Sequence, residues 1–434
     1  MTTYVDVKEV RTAAGSGVPV TLAIVGTGMR GLGYARRAVQ GGHARIAAIA
    51  EPRPEARAAA AAEFGVPPEG VFEDWHSLAE AERVADAVVI ATQDSMHADP
   101  AVRFAELGYH ILLEKPMAPT EADSERIADA ADKAGIILAV CHVMRYTRYT
   151  KTLKALLDSG RVGEIASIEH LEPVGWWHQA HSFVRGNWRS EHESSPMLLA
   201  KSSHDIDWLI HIMGRVPERV SSFGSLMHFR PENKPEGAAG RCTDCAVEPT
   251  CAYAATRIYS RFLGDPAGQW WPLSLVTTHF DEASVREALK TSDYGVCVYN
   301  GGNDVVDHQV VSMEFEGGAT ASFTMVAFTK LEHRKTRIFG TKGIVEGDGV
   351  RLHVHDFLTD TADVIDTGAD EGASAADGHG GGDYALVDSF IAAVATCDPS
   401  FVLTDARGSL ASHKVVWAAE RARNTGTVVT LALA

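Results

Sequence analysis

Two domains are expected: an α/β domain with a doubly wound parallel sheet, then an α+β domain with a large, mainly antiparallel sheet. Three observations predict this. Short β-rich runs alternate with helical stretches from Val20 to about Arg148, and a G-x-G-x-x-G turn follows the first of those runs. The later chain carries long β-rich segments with turn signals, HQVVSMEFEGGATASFTMVAF and TRIFGTKGIVEGDGVRLHVH. With 434 residues, 45% of them hydrophobic, the chain can fill two ordinary cores.

The first domain reads in order. VTLAIV is followed by a helix to about Gly41, ARIAAIA by PEARAAAAAEFG, DAVVIAT by DPAVRFAELG, and YHILLE by TEADSERIADAADKAG, with IILAVC as the last strand. Apolar strands joined by helices imply parallel pairing with both sheet faces covered. This domain is expected over 20–148, after an extension over 1–19, and the α+β domain over 149–434. In the latter, the helix KTLKALLDSG leads through Gly163 into IASIEHLEPVGWW, and the helices SFIAAVA and GSLASHKVVWAAERARN close the chain. The stretch DTGADEGASAADGHGGGD, Asp366 to Asp383, is poor in large apolar side chains and predicts a mobile surface loop.

The totals narrow the function. A formal charge of -17 argues against nucleic acid or an anionic membrane surface as the main partner. No stretch approaches the apolar length of a membrane span, and MTTYVDVKEVRTAAGSG lacks a signal-peptide core, so a cytoplasmic location is expected. Cys141, Cys297 and Cys397 are isolated and make no secreted disulfide framework.

In VTLAIVGTGMRG, Gly26, Gly28 and Gly31 fall directly after a strand and at the opening of a helix. The first glycine permits the tight turn, the second lets backbone approach a pyrophosphate, and the third allows close helix packing. Thr27, Met29 and Arg30 lie within the same turn. Glu51 ends the second strand, where its carboxylate would accept hydrogen bonds from a ribose 2′-hydroxyl and repel a 2′-phosphate. NAD is therefore favoured over NADP, although Arg53 supplies a guanidinium that would suit the phosphate. These are the marks of a Rossmann dinucleotide-binding domain.

The glycine turn, the run ATQDSMH, the EKP of Glu114 to Pro116 and the segment SSHDIDWL together resemble the glucose-fructose oxidoreductase and inositol 2-dehydrogenase family (Gfo/Idh/MocA), with looser likeness through RVGEI and GGATASF. The resemblance implies that Thr92, His97, Glu114 and Lys115 lie along the cofactor. It also implies that Lys115, restricted by the following proline, steadies a substrate oxyanion beside the nicotinamide, with Glu114 orienting it or tuning its pKa. By the same resemblance His204 is the general base, supported by Asp207 three residues on, on the same helical face. Asp205 points elsewhere on the wheel and is expected to serve the helix dipole. Where many members carry an aspartate four residues before the histidine, this sequence has Ala200, followed by Lys201.

The stretch GWWHQAHSFVRGNWR gathers Trp176, Trp177, His178, His181, Arg185 and Trp188. Aromatic faces pack on sugar C–H surfaces and the polar groups bind hydroxyls, so a polyol or glycoside pocket fits; packing in a core or interface is the competing use. Trp176, Trp177, His178, Arg185, Lys201 and His204 are candidates for substrate binding, as are Tyr146 and its neighbour Arg145. Cys242, Cys245 and Cys251 in RCTDCAVEPTC have the spacing C-x2-C-x5-C, compatible with a structural zinc ion or an iron–sulfur cluster, with His228 or an aspartate as a fourth ligand.

The leading expectation is an NAD-dependent dehydrogenase acting on a secondary hydroxyl of a sugar, cyclitol or glycoside. Two alternatives stand beside it: a redox-assisted glycoside hydrolase using His178 or Glu191 as acid or base, and a non-catalytic NAD-binding subunit. A homodimer or homotetramer is expected, with the large sheet as its interface.

Overall fold

The computed structural model describes residues 19–368 and 379–431. All but the last residue of the N-terminal extension, and most of the loop expected from Asp366 to Asp383, lie outside the described residues. The chain divides into two compact units, one running to Lys151 and including Gly381–Lys414, the other comprising Thr152–Gly380 and the chain from Val415. A contiguous reading assigns 381–414 to the second domain, but these residues group with the first. The physical reason is helix Gly382–Thr396: its Leu386, Val387, Phe390 and Ile391 are buried in the apolar core that covers the parallel sheet.

The first unit holds β1 (Val20–Val25), β2 (Ala44–Ala50), β3 (Val71–Phe72), β4 (Ala87–Ile90), β5 (His110–Leu113) and β6 (Leu138–Val140). Their order is β3-β2-β1-β4-β5-β6, all parallel. The chain moves one way from β1 to β3 and the other way from β4 to β6. The carboxyl ends of β1 and β4 therefore flank a topological switch point, where open α/β sheets bind ligands. All four residues of β4 are buried, as a central strand covered on both faces requires.

The second unit carries β7 (Ile165–Pro173), β8 (Arg219–Ser225), β9 (His308–Glu314), β10 (Thr320–Val326), β11 (Lys335–Gly340), β12 (Gly343–Gly347), β13 (Arg351–Asp356), β14 (Thr361–Asp366) and β15 (Val429–Thr430). They form one sheet in the order β14-β13-β12-β11-β7-β10-β9-β8-β15. Only the β7–β10 pairing is parallel. Alternation along β10, with Ala321, Phe323 and Met325 buried between more open neighbours, marks a sheet with one covered face. Among the described residues no helix is long and apolar enough to cross a membrane.

Candidate functional site

In the first unit the glycine turn joins β1 to helix Met29–Gln40. Gly26 has φ 91°, and a Cβ there would stand 2.6 Å from the carbonyl oxygen of Ala91. A Cβ on Gly31 would reach 2.0 Å from the carbonyl oxygen of Gly26, so the helix can approach the turn only without one. Gly28 differs: nothing lies within 4 Å of its Cβ position. That open side, at a helix N-terminus whose first turn holds no acidic residue, is what an approaching pyrophosphate needs. The chain thus fits a dinucleotide at this turn.

Glu51 is buried at the end of β2, and Thr27 donates to its Oε2 from both N (2.9 Å) and Oγ1 (3.0 Å). Arg53 donates to Oε1 from its backbone N (3.1 Å) and Nε (2.7 Å). Burial pushes the carboxyl pKa up, but the hydrogen bonds from Arg53 and Thr27 outweigh it and hold the value at about 2. Arg53 is therefore committed to the carboxylate at the place where the sequence left a choice between 2′-hydroxyl and 2′-phosphate.

Lys115 follows β5, and its loop is fastened at three points. Glu114 Oε2 accepts from the Lys115 backbone N (2.8 Å). His97 Nδ1 lies 2.8 Å from the Pro116 carbonyl, and its Nε2 lies 3.3 Å from that of Thr92. Met117 N donates to His413 Nε2 (3.0 Å), so the His413 proton sits on Nδ1 and is donated to Ser409 O (2.7 Å). His97, expected along the cofactor, ties the ATQ run to the EKP run from within the fold. Glu114 Oε1 accepts from Arg30 Nε (2.7 Å) and Tyr34 Oη (2.5 Å), and Arg30 also pairs with Asp383 at 2.6 Å. Burial raises the Glu114 pKa, but Arg30 and Lys115 lower it further, so a carboxylate persists in the interior next to the lysine. Arg30, expected as a cofactor contact, spends its guanidinium on these carboxylates.

In the second unit His204, Asp205 and Asp207 are all buried in the first turns of helix Ser203–Met213. The His204 ring lies 5.8 Å from that of His379, a neighbour that nothing in the sequence spacing singled out. Asp205 lies in the first turn of that helix, where a dipole partner was expected, and is fully buried. Its Oδ1 accepts from Arg334 Nε (2.8 Å) and faces His170 Nε2 (3.2 Å). Arg334 also pairs with Glu172 of β7 (2.6 Å), whose other oxygen lies 3.1 Å from Lys201 Nζ. Burial pushes the Asp205 pKa up, yet Arg334 and His170 hold it well below the usual carboxylate range. The position after Ala200 is thus a lysine anchored on a buried glutamate.

The aromatic stretch divides. Trp177 packs among Phe262 and Trp271, with ring centroids at 5.0 and 5.2 Å. Trp177, expected at the substrate, is buried within this aromatic group. Trp176 is only half-buried, with the Arg261 guanidinium 5.1 Å from its ring centroid. His178 is driven well below its ordinary pKa by burial, then by Lys201 and His181, and is neutral. His181 bonds Tyr259 Oη at 2.8 Å, and burial takes its pKa down to about 3. Glu191, the other acid or base considered for a hydrolase, bonds Arg423 at 3.1 Å. Arg185 points into a cavity beside Cys242. Tyr146, in the first unit, is a core residue whose hydroxyl accepts from Leu403 N (2.8 Å). The Tyr146 hydroxyl is thus bonded within the fold, while the Arg185 guanidinium keeps Nη1 without a hydrogen-bond partner.

The zinc expected on Cys242, Cys245 and Cys251 is not supported. Among the described residues no group of three or more His, Cys, Asp and Glu side chains is arranged to hold a metal ion. His228, considered as the fourth ligand, bonds Tyr299 Oη at 3.0 Å.

A six-stranded parallel sheet with this turn defines a Rossmann dinucleotide-binding unit, here joined in one chain to an α+β unit built on a nine-stranded sheet. The chain belongs to the Gfo/Idh/MocA oxidoreductases. The family's NAD-binding Rossmann fold matches residues 20–142 and its C-terminal alpha/beta domain residues 154–431. Over 271 residues, 61% of this chain, it is 27% identical to the putative oxidoreductase YteT of Bacillus subtilis, and the match spans 60% of that protein. It is 31% identical over 203 residues to the levoglucosan dehydrogenase of Pseudarthrobacter phenanthrenivorans, covering 44% of this chain and 51% of that one. A solved oxidoreductase domain protein from Kribbella flavida shares the fold at TM-score 0.70 and 19% identity, across 96% of this chain and 100% of the other.

Proposed function

We propose that the chain is an NAD-dependent dehydrogenase oxidising a secondary hydroxyl of a sugar or cyclitol. The observation that carries this reading is the glycine turn open at Gly28, in the same unit as a lysine whose loop is fastened at three points. When bound, NAD supplies the hydride acceptor. Lys115 donates a hydrogen bond to the substrate oxygen and stabilises negative charge as it develops there. His204 takes the hydroxyl proton, and Asp207 supports it. The balance is one C–H bond broken with its electron pair leaving as hydride, one O–H bond broken with its proton taken up, and a ketone left. The likeness to a levoglucosan dehydrogenase supports a carbohydrate substrate. Arg53 held on Glu51 supports NAD over NADP. We further propose a homo-oligomer formed through the outer face of the nine-stranded sheet.

The test is a panel of cyclitols, free sugars and anhydrosugars incubated with NAD or NADP, followed by absorbance of the reduced nicotinamide. Net NADH from at least one of them is expected. Replacement by Lys115→Met or His204→Asn should lower kcat by about 10²–10⁴-fold with cofactor affinity nearly unchanged. No reduction with any compound by a chain that binds NAD would remove the dehydrogenase reading.

A further inference from the structure

The helix Gly382–Thr396 begins unusually close to the turn after β6. A Cβ on Gly382 would stand 2.6 Å from the Val143 carbonyl oxygen, so the helix can start there only without one. This approach places the next residue, Asp383, in the interior of the first unit at 6% exposure. There its two oxygens meet Arg30 Nη2 at 2.6 Å and Nη1 at 3.0 Å, a two-point pairing of carboxylate with guanidinium. The two residues lie 353 positions apart, and nothing local in the sequence joins them.

Arg30 carries the connection onward. Its Nε donates to Glu114 Oε1, which also accepts from Tyr34 Oη, while Glu114 Oε2 accepts from the Lys115 backbone N. Asp383, Arg30, Glu114 and Lys115 thus form a row of alternating charge. The neighbouring groups add none. Burial pushes the Tyr34 phenol well up, and burial followed by Glu114 pushes the Cys141 thiol up, so both stay neutral. Burial opposes the charge on Arg30, but Asp383 leads the influences that keep it. Glu114 remains a carboxylate. One guanidinium therefore stands against two carboxylates, which leaves a single net negative charge in a buried place. Such a charge is costly unless a cation balances it, and the cation beside Glu114 is the Lys115 ammonium.

Without Asp383, Arg30 and Glu114 would balance each other, and Lys115 would lose its counter-charge. A lysine so placed releases its proton more readily, and a neutral amine brings no positive charge to a developing oxyanion. We propose that Asp383 is a positioning residue for the reaction: through Arg30 and Glu114 it holds Lys115 as the ammonium that steadies the substrate oxygen. The catalytic half of this inference rests on the role proposed above for Lys115, whereas the charge on that lysine can be read without any substrate.

The full-length protein is acetylated with acetic anhydride over about pH 6–10, and the Lys115 peptide is followed by mass spectrometry, because only the neutral amine reacts. Exposed Lys133 of the same chain is the internal reference. In the parent, Lys115 should reach half its limiting rate at a pH no lower than Lys133 does. In Asp383→Asn its rate at about pH 8 should rise about tenfold, the effect of one pH unit, and Asp383→Glu, which keeps the charge, should return it toward the parent rate. Asp388→Asn is the control. Asp388 pairs with Arg37 from the same helix, at 2.9 Å, outside the row, so its loss should leave the Lys115 rate within about twofold. With a substrate from the panel above, the alkaline fall in kcat should move about one pH unit lower in Asp383→Asn. An unchanged Lys115 rate in Asp383→Asn, an equal rise in Asp388→Asn, or a parent Lys115 that titrates below Lys133 would overturn the proposal. So would a loss of kcat equal at every pH. The expected labelling, with no reduction of NAD by any compound, would support the charge held on Lys115 and remove the dehydrogenase reading instead.

Discussion

Glu51 stays ionised in a buried place because four donor contacts from Thr27 and Arg53 replace water around it. Its pKa falls from 4.5 to about 2. A carboxylate whose folded pKa lies below its unfolded one contributes stability that is complete above the unfolded value and is lost as pH falls through the folded one. Here that window runs from about 4.5 down to about 2. Replacing Glu51 by Gln should cost on the order of 2 kcal/mol at neutral pH. It should also flatten the fall in Tm across that acid window, and parallel Tm-against-pH curves for the two proteins check both. The same residue shows how far residue type can be read. A carboxylate ending the second strand was legible, and ribose binding was expected of it; its engagement by Arg53 was not, because a guanidinium two residues on can turn to a phosphate or to its neighbour. The burial of Tyr146, Trp177 and Arg185 was not readable for a related reason. Aromatic and guanidinium groups serve cores as well as sugar pockets, and only packing decides between them.

Among the elements, the glycine turn separates folding from binding. Gly28 has φ -70° and open space at its Cβ position, so Gly28→Ala should fold with Tm within about 2 °C of the parent, because alanine is comfortable at that φ. The added methyl occupies the cofactor's approach and should weaken NAD binding about tenfold or more, by roughly 1.4 kcal/mol or above, as calorimetry would show. Gly31→Ala instead drives a Cβ into the Gly26 carbonyl and should destabilise the whole unit by about 1–3 kcal/mol, as overpacking does. If both variants lost stability equally, the open side of Gly28 would have no bearing on the cofactor. The histidine helix gives a second contrast. Arg334 bridges Asp205 of that helix to Glu172 of β7, and Arg334→Met takes the shared guanidinium from two buried carboxylates, leaving Glu172 to Lys201 and Asp205 to His170. A loss of about 3–5 kcal/mol is expected from denaturant unfolding. This bridge was not readable in the sequence. Arg334 lies more than a hundred positions from either carboxylate and meets them only because β11 pairs with β7, and that register is a property of the sheet.

At the scale of the whole chain, the alternating strands and the glycine turn made the first sheet legible. Strand and helix periods are local signals there, and the crossover rule turns them into topology. The nine-stranded sheet was legible only as β-rich length, since its order depends on pairings across distant segments. Its outer face bears on assembly. Phe223 is 71% exposed and stands opposite Val310, 38% exposed, in the β8–β9 register. Ser221, Ser312, Ser322 and Thr324 surround them on neighbouring outward positions. A sheet face of small polar side chains around an exposed aromatic and a β-branched residue offers a surface to a second copy of itself, and closed symmetry would bring the same residues together from both sides. Light scattering at micromolar concentration should then give at least twice the mass of one chain. Phe223→Lys would place like charges across the two-fold contact and should shift the mass toward one chain while leaving NAD affinity within about twofold, because the substitution lies on a surface strand and spares the glycine turn. A single-chain mass for the parent protein would exclude this face as the interface; an unchanged oligomer in Phe223→Lys would move the contact to another surface.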